Sequence, residues 1–261
     1  MLINTVLLFL QNALPIFIVS SLLLLQFPLN KLNMYSVKWF MLTLIIITIS
    51  TLLLSQNLSY LSQQFDGKGL ELFLALVSVL IYLFVAGLFM FNEQNNSRIK
   101  ANLGFIILLL ITSVKGAYFI AYLSNYWSQA QHFEAMFLGI ILGGGICVSI
   151  AILFYFLLSF INNNLAKNCS NYFILLFAIG QLMHGVVLLQ QVDILSSGQQ
   201  LWDSGHLIAE NSEVGQLLTV LFGYETTPST IHLITFLIAF VIPITLRKIK
   251  QLLLSANGAQ S

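Results

Sequence analysis

Charge is what this sequence has least of. Asp, Glu, Lys and Arg together make up 7% of its 261 residues, against about a quarter in a soluble domain. Such a chain cannot cover a water-facing surface, which excludes water-soluble folds. A net charge of +1 leaves nothing to attract nucleic acid or an acidic partner. Cysteine is equally scarce. Cys147 and Cys169 lie in or beside apolar runs without ligand spacing, so they read as small apolar residues, with neither a disulfide nor a metal site expected. There is no His-Glu-x-x-His, no intramembrane Ser–His pair at suggestive spacing and no pair of aspartates, so an enzyme is not expected. The opening Met1-Leu2-Ile3-Asn4 lacks a basic stretch and a small-residue cleavage site. The first apolar run is therefore expected to be a retained helix.

Apolar residues are what the chain has instead, 58% of the total. A spanning helix needs about 20 of them in succession. Runs near 2–27, 36–55, 70–91, 103–124, 134–160, 170–191 and 229–246 meet that need. They are too long and too uniformly apolar for barrel strands, which alternate. The expected fold is an all-α integral membrane protein with seven transmembrane helices. It forms one permease-like domain over 1–246, followed by a short cytoplasmic tail over 247–261. Pro28, Asn57, Asp66-Gly67, Asn92 to Asn96, Asn162 to Asn164 and Pro228 separate the runs. Within the fifth run, Gly139-x-x-x-Gly143 with Gly144 and Gly145 reads as close helix packing. A phosphate loop is a poor alternative, because no Lys-Ser/Thr follows. The seventh run has no central lysine, which excludes a retinal pigment.

The basic residues set an orientation. Lys31, Lys38, Arg98, Lys100, Lys167, Arg247, Lys248 and Lys250 fall in odd-to-even connections or the tail. Lys68 alone lies in a connection on the other side. The positive-inside rule then places the N-terminus outside and the C-terminus inside. Most acids sort outward, among them Glu71, Asp203 and Glu213, as candidates for attracting cations to the outer face. The stretch 192–228 is too short of apolar residues to cross. It is expected as an interfacial helix or re-entrant cap on the outer face.

Parts of that stretch are specific. Ser212-Glu213-Val214-Gly215-Gln216-Leu217-Leu218, Leu221-Phe222-Gly223-Tyr224-Glu225 and Pro228-Ser229 resemble the outer segment of the high-affinity iron permeases, the oxidase-dependent iron transporter family. Trp202-Asp203-Ser204, the opening run through Leu10-Gln11-Asn12-Ala13-Leu14-Pro15, Glu71-Leu72-Phe73 and Gly180 to Gln190 are similar to the same family. The resemblance implies iron transport in the cell (inner) membrane. It also implies homo-oligomers, or hetero-oligomers with an intact permease, an oxidase or a periplasmic iron-binding protein. No cofactor is implied; iron is the transported ion.

The family carries Arg-Glu-x-x-Glu in helix 1 and again in helix 4, where carboxylates one turn apart suit a hard trivalent cation. Here the matching positions read Gln11, Asn12 and Pro15, then Val114, Lys115 and Tyr118. Every motif carboxylate is missing, so the chain is expected to be a divergent or partner subunit with no metal ligands of its own. The alternative is a membrane assembly or sensing protein that keeps the fold without transporting. Gln11, Asn12, Pro15, Lys115 and Tyr118 remain the transport-pathway candidates. Lys115 has two readings: a tethered ammonium standing where the family holds a cation, or an interfacial anchor. Gln11 and Asn12 are expected to hydrogen-bond across helices, and Pro15 to kink helix 1. His184 reads as a packed histidine and Glu134 as an N-terminal acid of helix 5. Spans 1–3 and 4–6 would form an inverted 3+3 repeat with the seventh helix added.

A reporter fused after Ser261 is expected to be active only in the cytoplasm. Activity only on the outer side overturns the orientation.

Overall fold

The computed structural model describes residues 2–26, 34–90, 97–127, 133–165, 169–196, 198–209 and 212–258. Its helices are α1 (Leu2–Gln26), α2 (Met34–Gln63), α3 (Gly69–Met90), α4 (Ser97–Trp127), α5 (Phe133–Asn164), α6 (Cys169–Gln191), α7 (Glu213–Phe222) and α8 (Thr230–Gly258). All but α7 are long and apolar enough to cross a membrane. This is a multi-pass membrane protein. Lipid supplies no hydrogen-bond partners, so each crossing segment satisfies its backbone internally as a helix.

Helix ends overrun the apolar runs. α2 continues through Asn57 to Gln63, eight residues past the end expected from hydropathy, and α8 runs on to Gly258. Polar residues do not stop a helix at a membrane boundary. Asn57 Nδ2 donates to the Leu53 carbonyl one turn back at 2.7 Å, staying within the helix. The chain turns only at Phe65 and Asp66, both left-handed, and Gly67. The start of α5 and the connections at 28–33, 91–96 and 166–168 bear on expectations about Glu134, Lys31 and Lys167, whose side chains lie outside the described residues.

Four helices form a closed ring: α1 packs on α4, α4 on α3, α3 on α6 and α6 on α1. Outside the ring, α5 covers α1, α2 covers α4, and α8 lies against α6 and α3. Small residues set the closest approaches. A Cβ on Gly143 of α5 would meet Phe9 Cβ of α1 at 2.7 Å, one on Gly116 of α4 would meet Thr51 of α2 at 2.9 Å, and one on Gly185 of α6 would meet Ser78 of α3 at 2.9 Å. The glycine run of helix 5 thus packs closely, as its spacing predicts. Buried Cys147, one turn on, directs Sγ to the Phe9 carbonyl at 3.6 Å; both cysteines are free. The main core joins Leu14, Ile18, Leu22, Ile81, Val85, Ile107, Ile111 and Phe177.

Proline is accommodated twice inside helices. Pro243 of α8 removes the N–H that would bond the Ala239 carbonyl. Tyr82 of α3 replaces it, donating to Ala239 O at 2.9 Å. At the same end of the bundle, Arg247 lies 4.6 Å from the Phe89 ring centroid, a cation–π contact. α1 runs on through Pro15, whose missing N–H leaves the Gln11 carbonyl without its ordinary partner.

α7 enters the bundle from the face where α1 begins and α6 ends. Ser212 caps its start, accepting from Gly215 N at 3.0 Å. Gly223 ends it in the left-handed conformation, φ 67° and ψ 36°, and returns its N–H to the carbonyls of Leu218 and Thr219, which spares buried carbonyls. A Cβ on Gly180 of α6 would lie 2.9 Å from Gly223 N and from Phe222 C. Gly180 is 11 residues before the end of α6, so the end of α7 packs roughly 16 Å along α6 from that helix's end. The described part of the 192–228 segment thus folds in against the bundle. Its return arm pairs with its entry arm: Leu201 N donates to Pro228 O, Ser204 N to Thr226 O, and Thr230 N to Gln199 O.

The expected effect of Gly180→Val follows. Overpacking there costs about 1–3 kcal/mol and is relieved only by α7 backing out. A cysteine placed at Leu221 should resist a membrane-impermeant maleimide in the parent and react in the Gly180→Val protein. Equal labelling of both overturns the buried position of α7.

Candidate functional site

The ring interior holds the polar residues that the bilayer disfavours most. Lys115 sits well inside α4. Phe119, one turn further and on the same face of α4, packs edge-on against Phe9 of α1 at 4.6 Å between centroids. α1 and α4 run in opposite directions, so one turn below that contact Lys115 is level with Asn12 and Ala13 of α1. Lys115 therefore lies on the face of α4 that Phe119 turns toward α1. Among the described residues its ammonium takes part in no hydrogen bond or ion pair.

His184 is placed by its neighbours. Gly180, one turn below on the same face of α6, touches the end of α7, and Gly185 beside it touches Ser78 of α3. Met183 is fully buried, yet His184 is exposed. His184 is therefore not the packed core histidine that its isolation in sequence suggested.

Glu71 lies in the first turn of α3, on the face that Ala75 and Ser78 turn toward α6. Its Oε2 is buried without a hydrogen-bond partner, and the carboxylate acts electrostatically on Tyr118 of α4. Tyr118 and Lys115 stand three residues apart on α4, about one turn. One oxygen of Glu71 is thus buried at the start of the α3–α6 contact. Asp203 does lie at the surface, with Oδ1 accepting from Gly205 N at 2.8 Å. Glu213 opens α7, its side chain outside the described residues.

The α1 candidates divide. Gln11 is exposed, Asn12 half-buried and Pro15 buried. Asn12 Nδ2 donates to the Leu8 carbonyl of its own helix at 3.2 Å. The expected interhelical bond is replaced by a local one, which a short amide reaches more easily.

The rim is fixed by polar contacts that hydropathy did not single out. Lys68 Nζ donates to Val192 O at 2.9 Å, Gln190 Nε2 to Ser229 Oγ at 3.2 Å, and Tyr224 OH to Ile208 O at 3.1 Å. Glu225 Oε2 stands 3.0 Å from His232 Nδ1 in an ion-pair contact that lacks hydrogen-bond geometry. It ties the return arm of α7 to α8.

Among the described residues no three His, Cys, Asp or Glu are grouped to hold a metal ion. No family model, no curated protein and no solved structure matches the chain.

Proposed function

We propose that the chain is a transport subunit of the iron-permease type in the cell (inner) membrane, one whose own ring carries a lysine in place of metal-binding carboxylates. The observation that carries this reading is Lys115 on the α1-facing side of α4, level with the Asn12 end of α1. The resemblance puts the two Arg-Glu-x-x-Glu motifs at those same two positions. A short helix, α7, that folds in and ends against α6 is a further transporter feature.

An inverted 3+3 repeat is supported by the packing. Exchanging α1, α2 and α3 with α4, α5 and α6 turns the α1–α5 contact into α4–α2 and the α3–α4 contact into α6–α1. The α1–α4 and α3–α6 contacts map onto themselves. An N-out orientation is supported by charge: Asp66, Asp193 and Asp203 lie at the α7 end, and Arg247, Lys248 and Lys250 at the other.

In this reading iron moves through an assembly with a partner that retains the carboxylates, either an intact permease or one working with an oxidase or periplasmic iron-binding protein. A non-transporting assembly or sensing role is the second reading, favoured by the lack of a grouped metal-ligand set among the described residues.

Proteoliposomes holding this chain alone should take up no Fe(III), and those that also hold a permease with intact Arg-Glu-x-x-Glu motifs should take it up faster than that permease alone. An unchanged rate in the mixture supports the non-transporting role. Tight stoichiometric Fe(III) binding by the chain alone overturns both. Replacing Lys115→Glu together with Asn12→Glu should create measurable metal binding, because it supplies two carboxylates across the α1–α4 contact. Lys115→Ala alone should create none.

A further inference from the structure

The end of the bundle away from α7 brings three helix ends to one level. α3 ends at Met90, α6 begins at Cys169, and the crossing part of α8 ends at Lys250. Arg247 of α8 stands there with its guanidinium carbon 4.6 Å from the centre of the Phe89 ring of α3. Tyr172 of α6 meets the same ring edge-on, 5.3 Å between centroids. Lys250 Nζ donates to the Met90 carbonyl at 3.4 Å, and Lys248 is exposed next to Arg247.

Arg247, Lys248 and Lys250 put three positive charges into about one turn of α8. Like charges that close repel each other, and an anion relieves them. The acids whose side chains are described, Asp66, Glu71, Asp193, Asp203 and Glu225, lie at the α7 end instead. Arg247 makes no hydrogen bond or ion pair among the described residues, and its Nη1 is buried without an acceptor. The Phe89 contact holds the guanidinium in place and uses none of its N–H donors as hydrogen bonds. Those donors match the oxygens of a phosphate, and exposed Tyr172 brings a hydroxyl from α6.

The level of the patch says where the phosphate comes from, because the headgroups of a bilayer stand where crossing helices end. Next to the patch, α8 exposes Val241, Ile242 and Leu246, an apolar flank along which acyl chains can lie. A free anion gains nothing from that flank. A zwitterionic headgroup carries its own ammonium, which the three cations repel. We infer that Arg247, with Lys248 and Tyr172, forms a binding site for the phosphate of an anionic phospholipid at the seam of α8, α3 and α6.

Purified full-length protein in a neutral detergent is titrated with dioctanoylphosphatidylglycerol, dioctanoylphosphatidylcholine and inorganic phosphate, and its Tm is followed. At saturation the phosphatidylglycerol should raise Tm by about 5 °C, and the other two by much less. Arg247→Gln should abolish the rise. Arg247→Lys should keep only part of it, because lysine has the charge without the planar fork. Lys248→Gln is an exposed change that leaves the Phe89 contact alone, so it tests the site even if Arg247→Gln fails to fold. It should weaken phosphatidylglycerol binding about fivefold. A full rise in folded Arg247→Gln, or unchanged affinity in Lys248→Gln, puts the lipid elsewhere and overturns the site. An equal rise with phosphatidylcholine overturns recognition of the anionic headgroup, and an equal rise with inorganic phosphate overturns the lipid as occupant. No rise with phosphatidylglycerol overturns the inference outright.

Discussion

Hydrocarbon offers a backbone N–H or C=O nothing to bond with, and the architecture answers to that constraint at every level. It makes each crossing segment a helix. It also decides how the irregular parts are tolerated. Where Pro243 leaves the Ala239 carbonyl open, Tyr82 supplies a donor from the neighbouring helix. Where α7 stops against α6, the left-handed Gly223 folds its N–H back onto the helix, and the Thr219 hydroxyl lies 2.9 Å from both the Gly215 and Tyr224 carbonyls. A side chain at either Gly180 or Gly223 would push these two backbones apart, since each would meet the other's backbone atoms within about van der Waals distance. The close approach of α7 to α6 therefore depends on two glycines that meet in space, 43 residues apart in the chain (223 − 180).

The number of crossing helices was legible because it depends on run length and charge alone, and both are properties of composition along the chain. The 192–228 segment was half legible: six apolar residues from Leu217 to Phe222 were too few to cross, but lying on a surface and folding in against a bundle need the same composition. Which residues share the ring was much less legible. A soluble helix advertises its buried face by alternating apolar and polar positions. In α4 and α6 almost every residue is apolar, so periodicity carries little information about facing. His184 looked isolated because the residues packed around its helix, such as Ser78 of α3 and Gly223 after α7, are distant in sequence. Glu71 sits at a helix start, and the burial of one of its oxygens at the α3–α6 contact leaves no mark in the sequence. Asn12 was misassigned for a simpler reason: an asparagine in a helix always has the carbonyl four residues back within reach.

Lys115 stands out in the sequence because a charge in mid-span is expensive wherever it points. On insertion scales a central lysine costs about 2.5–3.5 kcal/mol, a large share of the stability of an ordinary domain. The α1 residues level with it, Asn12 and Ala13, are neutral and bring no counter-charge.

The field of the Lys115 ammonium decides which ions can be held near it. Two unit charges about 8 Å apart interact by roughly 2 kcal/mol at an effective dielectric near 20. A trivalent cation held that close to the Lys115 ammonium is disfavoured about three times as much, roughly 6 kcal/mol, or about four orders of magnitude in affinity. A site that used carboxylates for Fe(III) would need them near Asn12 and Lys115, where this chain has an amide and an ammonium. Under the proposed iron-permease reading that exchange reverses the sign of the site, while the helices and the glycine contacts, which depend on packing, are untouched by it.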